Sequence, residues 1–468
     1  MTALPLLRAF HLPLRFFHSG KDNSIAELGP LGHLGGRLCI WNLENVVDPS
    51  HASGANLKGK RYIEGLELRW GDDDKVHNRS LSEQVLEQLR PSSYLKALEV
   101  HNYPGVRFPD WLGEHCFSKL TSLHLRGGRH CTELPALGQL ELLKELWIEG
   151  FDSIVGIGPG FYGNSSTKKG IESTVCLEVV IRECKMIRTF QLGSFQNLSS
   201  LEVGNCLVLE SLYCGDEEGP LTSLRSLNIS FCSNFISFPG QGLQAPNLRE
   251  LFLEKLDALE ELPKNMHSLL PSLTKLELRS CTKLRSFPEG GLPSSIESLK
   301  IFFCKEIESS PEGGFPSNLK RLIIHSCGKL VADRKNWGLQ ALQSLSSLDI
   351  RGCDSFPEVL ESFPEETLLP PSLDSLWFGN FEHLKSLDYK GLEHLRKLTL
   401  YLCPELQSLP EEGLPSSLQS LAIYGCPKTL EERCQENGGD WHKISHIPKI
   451  KINNKEIKPR QSTQVSKL

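Results

Sequence analysis

Between Cys176 and Cys426 the apolar residues keep one phase, Leu-x-x-Leu-x-Leu-x-x-Cys, through eleven copies. Three copies stand behind nearly the same turn: FPEGGLPSSIESLKIFFC at Phe287–Cys304, SPEGGFPSNLKRLIIHSC at Ser310–Cys327 and LPEEGLPSSLQSLAIYGC at Leu409–Cys426. The fourth and sixth positions alternate with their neighbours, the period of a strand with one buried face. Leu299 with Ile301, or Leu421 with Ile423, therefore points inward, while the third, fifth, seventh and eighth positions point outward or to the strand edge. A second apolar step follows each ninth position, as at Leu284 and Phe287 or Leu406 and Leu409. Pro288 and Pro410 then stop any long helix, and glycine turns the chain back.

Opening positions lie 22 to 28 residues apart, the period of a leucine-rich-repeat coil. One coil cannot bury its apolar side alone, so successive coils stack with parallel strands about 4.8 Å apart. The expected fold is an α/β solenoid: a leucine-rich-repeat horseshoe with a parallel concave sheet and a convex side mostly of loop and short helix. The first part repeats the phase with more irregularity, at Leu38 and Ile40, then Ile63, Leu66 and Leu68, then Leu95, Leu98 and Val100. Leu120, Leu123 and Leu125 and then Leu143, Leu146 and Ile148 complete it, for about sixteen repeats and an inner face of roughly 75 Å. A helix is predicted over LSEQVLEQL, opened by a capping box of Ser80 and Glu83 and stopped by Pro91. GDDDKVHNR after Trp70 and IVGIGPGFYGNSSTKKG at Ile154–Gly170 read as exposed loop insertions. The chain divides accordingly into an N-terminal remnant or cap (1–34), irregular repeats (35–175), regular repeats (176–434), a C-terminal cap (435–452) and a disordered polar tail (453–468).

Nine of the 15 cysteines occupy the ninth position. Their number is odd and no CxxC pair occurs, which argues against a disulfide framework, zinc or a redox site. The better reading is packing. A small side chain with a weak thiol donor enters the interior where the chain leaves the strand, and meets backbone that would otherwise be unpaired.

A formal charge of −6 provides no basic footprint for nucleic acid. No apolar run is long enough for a membrane span, and Arg8, His11 and Arg15 break the N-terminus before a signal-peptide core forms. No HExxH or GxSxG motif positions a base or nucleophile, so no catalytic, metal or cofactor residue is assigned and the chain does not read as an enzyme. Ser19–Asp22 (SGKD) lacks the rest of a phosphate loop, and the GxGxxG at Gly158, Gly160 and Gly163 is interrupted by Pro159. What remains is an outward surface. Its aromatics are Phe231, Phe252, Phe302, Phe303, Trp377, Tyr401 and Tyr424, interleaved with Lys275, Arg279, Arg321, His325 and Arg351. Aromatics and arginine dominate interface energies, so these residues are the candidate protein-binding set. His101, His124 and His325 read as surface or edge residues.

NLENVVDPSHASGANLKGKRYIEGLELRW at 42–70, the stretch from FPDWLGEHC to GPGFYG at 108–163 and CQENGGDWHKISHIPKIKI at 434–452 resemble the repeat region of plant nucleotide-binding leucine-rich-repeat disease-resistance receptors, in their coiled-coil class. The likeness runs from about Ser24 to Ile452. It implies recognition of a pathogen effector, or of a guarded host protein, in the cytoplasm. In that family a signalling region and an ATP/ADP switch precede the repeats, whereas this chain starts where the repeats start. The implied product is thus a recognition module without its own switch, acting alone or with a full-length receptor. The alternative is a repeat scaffold, adaptor or truncated remnant without an immune role. Ser466-Lys467-Leu468 matches the peroxisomal address and keeps a second compartment open. The partner's identity and the oligomeric state are left open.

Overall fold

The computed structural model describes residues 14–17, 24–71, 78–157, 176–192, 195, 197–214, 219–352, 360–364, 368–388, 395–453 and 455–457. The chain folds as two compact units, Met1–Pro239 with Gln244–Asn247 and Gly240–Leu243 with Leu248–Leu468. The glycines of the GxGxxG match, most of both insertions, Cys353 and the final tripeptide fall outside the described residues.

In the first unit, Leu14–Phe17 pairs in parallel with Gly35–Trp41, and the ladder continues through Tyr62–Arg69, Ala97–His101, Ser122–Arg126, Glu145–Glu149, Leu177–Arg182, Leu198–Gly204 and Ser226–Ser230. The second unit runs from Glu250–Glu254 through Lys275–Arg279, Ser298–Phe302, Arg321–His325, Ser347–Arg351, Ser375–Gly379, Lys397–Tyr401 and Ser420–Tyr424 to Lys449–Ile452. Both are therefore the leucine-rich-repeat α/β coil that the register predicts. Fourth position pairs with fourth and sixth with sixth, so Leu276, Leu299, Leu322, Leu348 and Leu376 form one inward column. Fourth- and sixth-position side chains from Val179 to Ile423 are at most 5% exposed. Each buries enough apolar surface to contribute about 1.5–3 kcal/mol.

The ninth-position cysteines pack inward as expected, but the carbonyls they meet are not otherwise unpaired, since each already accepts the eighth-position N–H of the preceding coil. The thiols of Cys184, Cys206, Cys232, Cys281, Cys304, Cys327, Cys403 and Cys426 are buried, and each donates to the seventh-position carbonyl two residues back at 3.2–3.7 Å. Hydrogen bonding toward the Cys206 sulfur, together with burial, holds Cys184 and Cys232 protonated. Cys281 and Cys403 are held likewise beside Cys304 and Cys426.

The eighth position departs from expectation. It is left-handed in nearly every coil, with φ between +47° and +57° at Asn102, Glu183, Asn205, Phe231, Lys255, Ser280, Phe303, Ser326, Asn380 and Leu402. Strand alternation would send residues seven and nine to the same side. One left-handed residue between them breaks the alternation and turns the ninth side chain inward. The eighth residue thus belongs to a turn, not to the outward row of the strand.

Four further differences have local causes. Asn78, not Ser80, caps the helix Arg79–Gln88, with its side chain accepting from the Leu81 N–H at 3.2 Å. Glu83 does not close a capping box; its carboxylate accepts from the Val106 N–H at 2.7 Å and from that of Arg107. Short parallel strands line the side away from the main sheet, Gly156–Ile157, Thr189–Gln191 and Ser211–Tyr213 in the first unit and Ser362–Phe363 with Ser386–Leu387 in the second. Segments of two or three residues are too brief to show alternation. Lys455–Ile457 lies antiparallel to Lys449–Ile452, so the disordered tail expected from 453 begins with a paired strand.

Candidate protein-recognition face

The outward rows of the second unit follow directly from its register. The fifth-position row runs Phe252, Glu277, Lys300, Ile323, Asp349, Trp377, Thr399, and the seventh runs Glu254, Arg279, Phe302, His325, Arg351, Gly379, Tyr401, Tyr424. Cations, carboxylates and rings from adjacent coils interlock along these rows. Arg279 Nε lies 2.5 Å from Glu277 Oε1, and its guanidinium lies 4.5 Å from the Phe302 ring centre and 5.8 Å from that of Phe252. Lys300 Nζ reaches the other Glu277 oxygen at 3.0 Å. Phe302 meets His325 edge to face at 5.0 Å, and His325 Nε2 lies 2.9 Å from Asp349 Oδ1, off the line a hydrogen bond requires.

Asp349 grips Arg351 with both oxygens, accepting from Nε and Nη2 at 3.1 Å each. The Arg351 guanidinium is 5.5 Å from the Trp377 ring centre and 5.7 Å from that of Tyr401. Tyr401 is two coils away, and Gly379 makes the reach possible by placing no side chain between them. A Cβ at Gly379 would meet the Tyr401 carbonyl oxygen at 2.0 Å. Trp377 and Tyr401 nonetheless stay about two-fifths exposed. An arginine fixed between a carboxylate and two open rings is a preorganised contact surface, because little side-chain freedom is left to lose on binding.

Phe252, Arg279, Phe302, His325, Arg351, Trp377 and Tyr401 are thus brought together as expected. Tyr424 adjoins Tyr401 in the seventh row. Lys275 and Arg321 lie in the third row, where Lys275 Nζ pairs with Glu250 at 2.6 Å. Phe303, about half exposed, stands on the left-handed turn and outside the interlocked set. Phe231 stands on such a turn in the first unit. The histidines are not simple surface residues. His101 is buried, while the His124 and His325 side chains are only 19% and 16% exposed, wedged beside carboxylates.

The first unit carries a comparable set that sequence reasoning passed over. Glu67 accepts from Arg37 Nη2, the Cys39 thiol and the Trp41 indole N–H at 3.2 Å each, and Arg69 lies 4.8 Å from the Trp41 ring centre. Trp147 has Arg126 and Arg182 each at 5.4 Å. Glu99 has its pKa pushed down to about 2 by hydrogen bonding with His101, with Arg37 and His124 adding positive charge. The signal was present: Trp147 is the fifth position of the copy that opens at Leu143.

A model of the R13L1/DRL21 leucine-rich repeats matches residues 25–151. A putative disease-resistance RPP13-like protein 1 of Arabidopsis thaliana is 32% identical over 291 residues, covering 58% of this chain and 27% of that protein. The putative disease-resistance protein RGA4 of Solanum bulbocastanum is 29% identical over 448 residues, covering 94% of this chain and 37% of that one. The leucine-rich repeats of this chain are similar to those of plant disease-resistance proteins. The chain spans only about a quarter to two-fifths of these two relatives' length. Among solved structures, a leucine-rich-repeat protein of Leptospira interrogans aligns over 79% of this chain and 86% of that one, with a TM-score of 0.45 and 19% identity. Among the described residues no helix is long and apolar enough to cross a membrane.

Proposed function

We propose that this chain is a recognition module of plant disease resistance, binding a pathogen effector or a guarded host protein through the outward face of its sheet. The observation that carries the proposal is the interlocked Asp349, Arg351, Trp377 and Tyr401 group. Two open rings are held ready around a fixed guanidinium, in a chain whose relatives are named as disease-resistance proteins. Exposed aromatics and arginine in such a setting are the residue types that carry interface energy. The bound protein meets the rings edge-on or face-on and completes the solvation of Arg351.

A photo-crosslinking amino acid placed at Trp377 in the full chain, expressed in leaf tissue challenged with pathogen, captures the partner. The purified partner then binds the chain at least tenfold more weakly after Trp377→Ala with Tyr401→Ala, while circular dichroism is unchanged. Equal affinity would remove the face assignment, and silencing that leaves susceptibility unaltered would favour a scaffold without an immune role. We place the module in the cytoplasm. Fluorescent fusions with and without Leu468 should be equally diffuse, and punctate signal that depends on Leu468 would move it to the peroxisome.

A further inference from the structure

We infer that the third-position row of the second unit is a track for an extended acidic segment of the partner protein, an inference that rests on the sheet face being a protein-binding surface. The row is continuous in the register from Ser298 through Arg321, Ser347, Ser375, Lys397 and Ser420 to Lys449. It sets three long cations among four short hydroxyls, two of which, Ser347 and Ser375, stand between Arg321 and Lys397. Arg321, Lys397 and Lys449 are exposed, the serines half-buried.

Charge distribution selects the occupant. The chain as a whole has a formal charge of −6, yet the cations on this face outnumber its carboxylates. Of those carboxylates, Glu250, Glu277 and Asp349 are each already matched by a cation on the face itself. Glu254, in the first strand of the unit, is the acid left over. Arg321, Lys397 and Lys449 have no ion-pair partner among the described residues, and the hydroxyls of Ser298, Ser347, Ser375 and Ser420 have no hydrogen-bond partner there. The row therefore offers unneutralised positive charge with free donors between.

Strand spacing sets the match. Arg321 and Lys397 are three strands apart, about 14 Å, and Lys397 and Lys449 two strands apart, about 10 Å. An extended chain advances roughly 3.4 Å per residue and turns every second side chain the same way, so carboxylates four and then two residues apart face the row, and the long lysine side chains span the remaining few ångströms. The serine hydroxyls between them reach the peptide groups of the intervening residues. A folded acidic surface would meet the cations and leave these hydroxyls unused.

The probe is a fluorescein-labelled peptide with aspartates at its first, fifth and seventh positions in a Gly-Ser background, titrated with the full chain at low salt. Its neutral asparagine counterpart and an oligothymidylate of equal length serve as competitors. Wild-type chain should bind the aspartate peptide at least tenfold more tightly than the asparagine peptide. Arg321→Gln, Lys397→Gln and Lys449→Gln combined should abolish that preference. Lys283→Gln, Lys305→Gln and Lys428→Gln, which remove equal charge from exposed positions off the row, should keep it. Equal loss in both triple variants, no preference for aspartate in the wild type, or tighter binding of the oligothymidylate would each overturn the inference. Peptide binding lost with Trp377→Ala and Tyr401→Ala but kept in the row variant would defeat the track and leave the face standing.

Discussion

At the scale of single residues, the ninth cysteine and the eighth left-handed residue do opposite kinds of work at the end of most strands of the regular repeats. The thiol adds a second, weaker bond to a carbonyl that already accepts a backbone N–H, as Cys304 does at 3.5 Å to Phe302, which also accepts from Ser280 N–H at 2.8 Å. The residue before it sits where a β-carbon crowds the backbone, at a cost of roughly 1–2 kcal/mol for most side chains and much less for asparagine or glycine. Asn102, Asn205 and Asn380 fit that demand, whereas Phe303 at φ +57° does not. Phe303 is also 52% exposed, so little burial offsets its conformation. Phe303→Asn should therefore stabilise the chain by about 1 kcal/mol, read as a rise in thermal midpoint of a few degrees. A fall in the midpoint would show that the ring makes a contact worth more than its backbone strain.

At the scale of elements, the strands of the regular repeats were legible because each satisfies two periods at once, the alternation within a strand and the recurrence between strands. Leu322 and Ile324 could be placed inward from the sequence for that reason, and both are fully buried. The outward rows were legible by the same logic, which brought together Arg279, Phe302 and His325. What escaped was chemistry that spans coils. Nothing in the sequence shows that Gly379 clears a path from Arg351 to Tyr401, since the gap exists only once the coils are stacked. Helix entry was misread for a similar reason: Glu83 fits a capping box locally, yet serves the Val106 N–H in the next coil. Asn78→Ala should then cost about 1 kcal/mol in urea unfolding, the typical worth of an N-cap, while Ser80→Ala should change stability by less than about 0.5 kcal/mol. The reverse order would restore Ser80 as the cap.

At the scale of the whole molecule, the thiols divide sharply by position. Cys116 and Cys176 are exposed and Cys214 is partly so, while the described ninth-position thiols are shut away from water. Reaction with a thiol reagent needs access to the sulfur, and burial withholds it. The native chain should thus release colour quickly from a small set of thiols, and from the remainder only after guanidinium is added. Cysteine-to-serine changes at Cys116, Cys176 and Cys214 should remove most of the fast phase. Fast labelling that persists in that variant would mean that the coils open readily under native conditions.

The left-handed residue at nearly every strand end, with the inward side chains on either side of it, settles the course of the main chain without consulting the residues that look away from the core. Those residues, Gly379 apart, are consequently exchangeable stock. Arg321 or Lys397, both exposed, could be traded for a different charge or ring and the coil beneath would close as before. A molecule built this way changes what it grips by revising one surface, and does not have to solve its folding again each time.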